Sequence, residues 1–231
     1  MLDISRIQAI TLDLDDTLWP VRPTIHRAEA RLQQWLAPRA PGTAALFTDE
    51  ALRKGLRDRV HEQWPDKHHD LSLMRLEMIR LGLLQCGEDA ALAEPAFAVF
   101  FDARQEVVLY ADALPALQAL SARWPVLALS NGNADVQRIG IGHLFCGSVS
   151  ARDAGVAKPH AGIFLAAAER LQVAPERVLH VGDDAALDVL GAAAVQMQTA
   201  WVNRDAHAWS HAVSPDLTVS DMAALCGQLG L

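Results

Sequence analysis

The sequence predicts an α/β protein: a parallel sheet flanked by helices and interrupted once by an all-helical insertion. Three observations predict it. Short apolar stretches at residues 7–13, 125–130, 147–150, 177–181 and 197–202 alternate, after Asp112, with helical ones. Helices set between strands imply crossover connections and a parallel sheet. From Trp19 to about Val108, helical periodicity dominates and strand signal is almost absent. Polar and acidic residues follow three of the apolar stretches: Asp13 and Asp15, then Ser130-Asn131-Gly132-Asn133, then Gly182-Asp183-Asp184. Ligands of open α/β sheets sit beyond the carboxyl ends of the strands, so these residues converge on one edge. The expected division is a core of residues 1–16 plus 109–231 and a helical domain of residues 17–108.

Residues 7–13 are too uniformly apolar for a half-exposed strand, which suits a central parallel one. In the insertion, Ile25, Ala28, Leu32 and Trp35/Leu36 recur at helical spacing over residues 24–40. Leu52, Leu56, Val60 and Trp64 recur every fourth residue over 49–64, and Leu71, Met74, Met78 and Leu81 mark a third helix ending near Gly82 and Gly87. A fourth, less regular helix covers 91–108. Beyond it, Asp112 is placed to cap a helix running through Arg123, and helical stretches 160–171 and 185–194 separate the later strands.

Length and composition fit a soluble globular protein: 231 residues, 51% hydrophobic and 21% charged. A net charge of −8 with no Lys/Arg run argues against binding to a nucleic-acid backbone. Cys86, Cys146 and Cys226 are far apart and lack CxxC or zinc-ligand spacing, which predicts free thiols in a reducing compartment. There is no signal-peptide pattern and no apolar run long enough to cross a bilayer, so the expected location is cytoplasmic, with no membrane association and no evident protein partner.

Asp13, Asp15 and Asp16 place three carboxylates within four positions where an apolar strand stops. They repel one another and lose solvation, so the cluster needs a cation or a reaction to sustain it. Other chemistries lack their signatures: there is no HExxH, GxSxG, GxxxxGK or GxGxxG. His180 lies in a strand and is expected to be a satisfied core histidine, while Trp19, Trp35 and Trp64 are expected to serve packing.

Four segments, taken in order, resemble the haloacid dehalogenase-like hydrolase superfamily, whose members are mostly phosphatases. They are Asp13-Leu14-Asp15-Asp16-Thr17-Leu18, Leu129-Ser130-Asn131-Gly132, Lys158-Pro159, and Val181-Gly182-Asp183-Asp184 with Asp188 beyond. The resemblance implies a Rossmann-like core with a helical cap, and Mg²⁺ as cofactor. It implies Asp13 as nucleophile, Asp15 as the acid that protonates a leaving alkoxide, and Lys158 as the cation that neutralises phosphate and Asp13. Ser130, with the main-chain N–H groups of Asn131 and Gly132, would cradle the phosphoryl oxygens. Asp13, the Asp15 carbonyl and Asp183 would hold the metal, with Asp184 or Asp188 orienting its water or Lys158. Asp16 stands where many relatives carry glycine and is expected to point away from the site.

The implied substrate is a small phosphomonoester. Leu179–Asp184 and Ser130–Ala134 are similar to bacterial phosphatases of flavin mononucleotide and 5-amino-6-(5-phospho-D-ribitylamino)uracil. Three alternatives share the fold: a 2-haloacid dehalogenase, whose branch lacks the second aspartate, a phosphomutase, and a non-catalytic binding protein.

Overall fold

The computed structural model describes residues 1–231. They form two compact units, Met1–Pro20 with Val108–Leu231, and Val21–Val107. Residues 17–20, expected in the insertion, therefore belong to the first unit. Hydrogen bonds hold them there: Tyr110 N–H donates to the Leu18 carbonyl at 2.9 Å, and Asp16 N–H to the Trp19 carbonyl at 2.7 Å.

The first unit is built on six strands: β1 (Ala9–Leu12), β2 (Val126–Ser130), β3 (Gly147–Ser150), β4 (Val178–Gly182), β5 (Gln198–Val202) and β6 (Leu217–Val219). All pair in parallel, in the order β3-β2-β1-β4-β5-β6. Every residue of β1, β2, β4 and β5 is buried, which explains their continuous rather than alternating apolar character. Each Leu, Ile or Val so buried contributes about 1.5–3 kcal/mol. Helix Ala161–Leu171 packs on β2 and β3, and helix Ala113–Arg123 packs on the C-terminal helix Met222–Leu229. The edge strand β6 was not expected, because three residues carry too little pattern to read; pairing of Ala200 with Leu217 and Val202 with Val219 forms it.

Strand order is what positions the site. β1 lies between β2 and β4, so the chain turns in opposite directions on its two sides. The residues just beyond β1 and β4, Asp13 and Asp183, become neighbours at this switch point.

The second unit contains α1 (Val21–Leu36), α2 (Pro41–Thr48), α3 (Glu50–Gln63), α4 (Leu71–Gln85) and α5 (Ala93–Arg104). Ala28, Leu32, Leu56, Ile79, Leu83 and Phe100 are among the residues of its core. α2 was not expected; it lies between the helical stretches read over 24–40 and 49–64. Its N-terminus has no side-chain cap of its own. Glu88 supplies one from outside: its carboxylate accepts from Gly42 N–H at 2.8 Å, Thr43 N–H at 2.8 Å and the Thr43 hydroxyl at 2.5 Å. Burial opposes the Glu88 charge, but these bonds outweigh it and hold its pKa below the usual range. Glu88→Ala is expected to destabilise the protein by about 1 kcal/mol, the typical worth of a helix N-cap. An unshifted urea midpoint would count against this role.

Candidate active site

Asp13 follows β1 directly, and its N–H extends the sheet by donating to the Val181 carbonyl at 2.9 Å. Its side chain is buried. Lys158 Nζ donates to Asp13 Oδ1 at 2.5 Å and to Asp188 Oδ1 at 2.6 Å, a buried cation between two carboxylates. Asn131 fixes the main chain of Lys158 from both sides: Lys158 N–H donates to Asn131 Oδ1 at 2.7 Å, and Asn131 Nδ2 to the Lys158 carbonyl at 3.0 Å. From the sequence, only the Asn131 main chain is expected to take part. The Ser130 hydroxyl accepts from Gly132 N–H at 2.9 Å, which leaves its own hydrogen available to a ligand.

A cleft of about 170 Å³ is lined by Asp13, Asp15, Ser130, Asn131, Gly132, Lys158, Asp183, Asp184 and Asp188, so every residue expected at the site lies on it. Asp16 also lines it. Asp16 has φ 57°, in the left-handed region that favours glycine.

Beyond β4, Asp183 Oδ1 accepts from the Thr17 hydroxyl at 2.9 Å, and Thr17 Oγ1 lies 3.4 Å from Asp13 Oδ2. The chain then makes a π-helical turn, Ala185–Leu190, rather than the α-helix expected over 185–194. The Asp184 carbonyl accepts from both Asp188 N–H at 3.0 Å and Val189 N–H at 3.3 Å. Single π turns recur at functional sites because they re-aim a side chain. Here Asp188 is turned back onto β4, so close to Gly182 that a Cβ there would meet its Cγ at 2.3 Å. Asp188 Oδ2 accepts from Asp184 N–H at 3.0 Å. The Asp184 carboxylate instead caps the turn, accepting from Ala186 and Leu187 N–H at 2.8 Å. Of the two acids left open by the sequence, Asp188 is the one on Lys158.

His180 is satisfied, as expected, but by the site rather than by the core alone. Its Nε2 lies 3.0 Å from Asp188 Oδ1 and its Nδ1 2.9 Å from the Thr11 hydroxyl. Burial pushes its pKa down, which favours the neutral ring, with Nε2–H directed at Asp188. Trp19 is likewise more than packing: its indole N–H donates to Asp15 Oδ1 at 2.8 Å. A tryptophan four residues after an aspartate, across a tight turn, is the one signal that could have suggested it.

Burial raises the Asp13 pKa well above the usual carboxylate range despite Lys158. Burial, reinforced by Asp188, pushes Asp183 up to about 7. Burial opposes the Asp188 charge too, but Lys158 and His180 prevail and hold its carboxyl well below the usual range. Lys158 is held charged by Asp13 and Asp188 against the cost of its burial. One oxygen each of Asp13, Asp183 and Asp188 lies within 4.8 Å of the others. Such hard oxygen donors fit Mg²⁺. Lys158 engages both Asp13 and Asp188, but His180 and the Asp184 N–H engage Asp188 besides, so Asp13 and Asp183 are the carboxylates with more capacity left for a cation.

Residues 7–196 match the family of haloacid dehalogenase-like hydrolases. The chain belongs to that family. The hydrolase is 33% identical, over 96% of both chains, to 5-amino-6-(5-phospho-D-ribitylamino)uracil phosphatase YigB of Escherichia coli strain K12. It is 30% identical to glyceraldehyde 3-phosphate phosphatase of Methanopyrus kandleri, over 86% of this chain and 84% of that one. A solved structure described as 2-haloacid dehalogenase from Pseudomonas syringae pv. Tomato DC3000 matches it with a TM-score of 0.92 and 32% identity, over 97% of this chain and 98% of that one. No helix is long and apolar enough to cross a membrane.

Proposed function

We propose that this hydrolase is a Mg²⁺-dependent phosphomonoesterase that works through an aspartyl phosphate on Asp13. The observation that carries the reading is the pairing, in one cleft, of a lysine-bound carboxylate, Asp13, with a second carboxylate, Asp15, held by Trp19. An Asp13 oxygen attacks phosphorus, and the P–O bond to the leaving group breaks as the new one forms. Asp15 gives its proton to the departing alkoxide, then takes one from the water that cleaves the aspartyl phosphate and releases phosphate. Lys158 and Ser130 meet the phosphoryl oxygens. Asp13, Asp183 and the Asp15 main-chain carbonyl would hold Mg²⁺, which when bound neutralises charge on the anionic ester.

Asp15 also separates this reading from a dehalogenase, the name carried by one structural relative. An alkoxide leaves poorly without a proton, whereas a halide needs none. The substrate class is a small phosphorylated metabolite, and the YigB likeness makes the ribitylaminouracil phosphate of the flavin pathway the first to test. The helical unit Val21–Val107 is proposed to act as a cap that supplies the specificity contacts. Three free thiols support a cytoplasmic location.

Phosphate release from a set of phosphomonoesters tests the reading, with 2-chloropropionate as the haloacid control. Asp15→Asn is expected to lower kcat for alkyl phosphates by about 10²–10⁴, and far less for p-nitrophenyl phosphate, whose leaving group departs unprotonated. Chloride release without phosphate release would replace this function with dehalogenation.

Mg²⁺ is also expected to stabilise the protein more at pH 8 than at pH 5.5. Asp183 is raised from the ordinary 3.8 to about 7, so the stability it contributes is fully present at low pH and lost as pH rises through 7. A bound cation removes that loss. Magnesium at ~100 times Kd should raise Tm at pH 8 by about 5–10 °C. A shift independent of pH in thermal-shift assays would argue that Asp183 does not bind the metal.

A further inference from the structure

Thr17 is the side chain that touches both Asp183 and Asp13, yet its hydroxyl can be aimed only if its main chain is held. Arg204, two residues beyond β5, holds it: Nη2 donates to the Thr17 carbonyl at 2.9 Å. The same guanidinium is forked onto Asp112, Nη1 to Oδ1 at 3.2 Å and Nη2 to Oδ2 at 2.9 Å, and lies 3.9 Å from the centre of the Tyr110 ring. Asp112 is itself anchored, accepting from Met222 N–H at 2.8 Å where the C-terminal helix begins. Tyr110 N–H holds the next carbonyl, that of Leu18. Two successive carbonyls of the loop after β1 are thus gripped by residues from remote parts of the chain. Planar guanidinium fixes direction as well as distance, which an ammonium cannot do.

We infer that Arg204, clasped by Asp112, is a positioning residue that sets Thr17 and through it the Asp13–Asp183 pair for the cation. The inference rests on the metal-binding reading of those two carboxylates given above. Arg204 is not among the residues that line the cleft, and it reaches the site through the Thr17 main chain. Removing the fork should therefore weaken metal binding and slow the chemical step, and leave recognition of the substrate body unchanged.

Arg204→Lys, which keeps the charge without the fork, and Asp112→Asn, which weakens the clasp from the other side, test it. Mg²⁺ affinity is measured by calorimetry without substrate, alongside kcat, KM and Tm. Arg204→Lys is expected to weaken Mg²⁺ binding about tenfold and lower kcat about tenfold, with KM at saturating Mg²⁺ within about twofold of wild type. Asp112→Asn should show the same pattern to a smaller degree. A fall in Tm with Mg²⁺ affinity and kcat unchanged in both variants would make the clasp merely structural and overturn the inference, as would a wild type that binds no Mg²⁺. A wild type that binds Mg²⁺ but releases no phosphate would defeat the phosphatase reading instead, and calorimetry would still decide the role of Arg204.

Discussion

Asp13→Asn is expected to lower phosphate release by at least about four orders of magnitude, the scale on which loss of a nucleophile is felt. The amide fills the space of the carboxylate, and its oxygen can still accept from Lys158 Nζ, which also keeps Asp188. It cannot form the covalent intermediate. Stability should move the other way. Burial raises the Asp13 pKa, so the stability this group contributes is present at low pH and lost as pH rises through that raised value. Removing the charge removes the loss, and the metal-free variant should equal or exceed wild type in Tm, by a margin larger at pH 8 than at pH 6. Single-turnover phosphate release and thermal unfolding check the two halves. Turnover near the wild-type rate would sink the nucleophile assignment.

Lys158→Met should destabilise the protein by about 3–5 kcal/mol at pH 8, the usual cost of leaving a buried charge unpaired. In the wild type, Lys158 is the cation that offsets burial of both Asp13 and Asp188. Without it, the folded-state pKa of Asp188 rises from its depressed position and that of Asp13 rises further. For carboxyls raised in this way, stability is retained at low pH and lost as pH climbs through the new values. The deficit should therefore be smaller at pH 5 than at pH 8, where both groups must ionise without a partner. Urea unfolding at the two pH values measures it. Equal losses at both would mean that Lys158 contributes by packing its stem rather than by its charge. Phosphate release should fall too, since the same ammonium faces the phosphoryl group in the proposed reaction.

How much of this was legible in the chain depended on how local its physical cause was. Strands β1, β2, β4 and β5 were readable because burial on both faces demands an unbroken apolar run. α1, α3 and α4 were readable from their apolar spacing. α2 was not, because its N-terminal cap is Glu88, more than forty residues away in sequence. β6 was not, because three residues at an edge owe their conformation to pairing with β5. The same division holds at the site. Asp13, Asp15, Ser130, Lys158 and Asp183 each end or follow a strand or precede a proline and could be singled out by residue type and place. The Asn131 clamp on Lys158, the contact of His180 with Asp188 and the grip of Arg204 on Thr17 join residues 27, 8 and 187 positions apart. No local pattern announces them.

The sequence by itself pointed to the class of fold, to a helical insertion after the first strand and to most of the residues that line the cleft. Those follow from hydrophobic periodicity and from which polar residues end each strand, both local properties. Only the tertiary structure decided which acid serves Lys158. The sequence offers Asp184 and Asp188 as near equals. A π-helical turn over Ala185–Leu190, and a glycine at 182 with no Cβ to obstruct it, swing Asp188 onto the lysine and leave Asp184 to cap the turn. The physical reason is that hydrogen-bond direction depends on the main-chain path in three dimensions, and residue type does not encode that path.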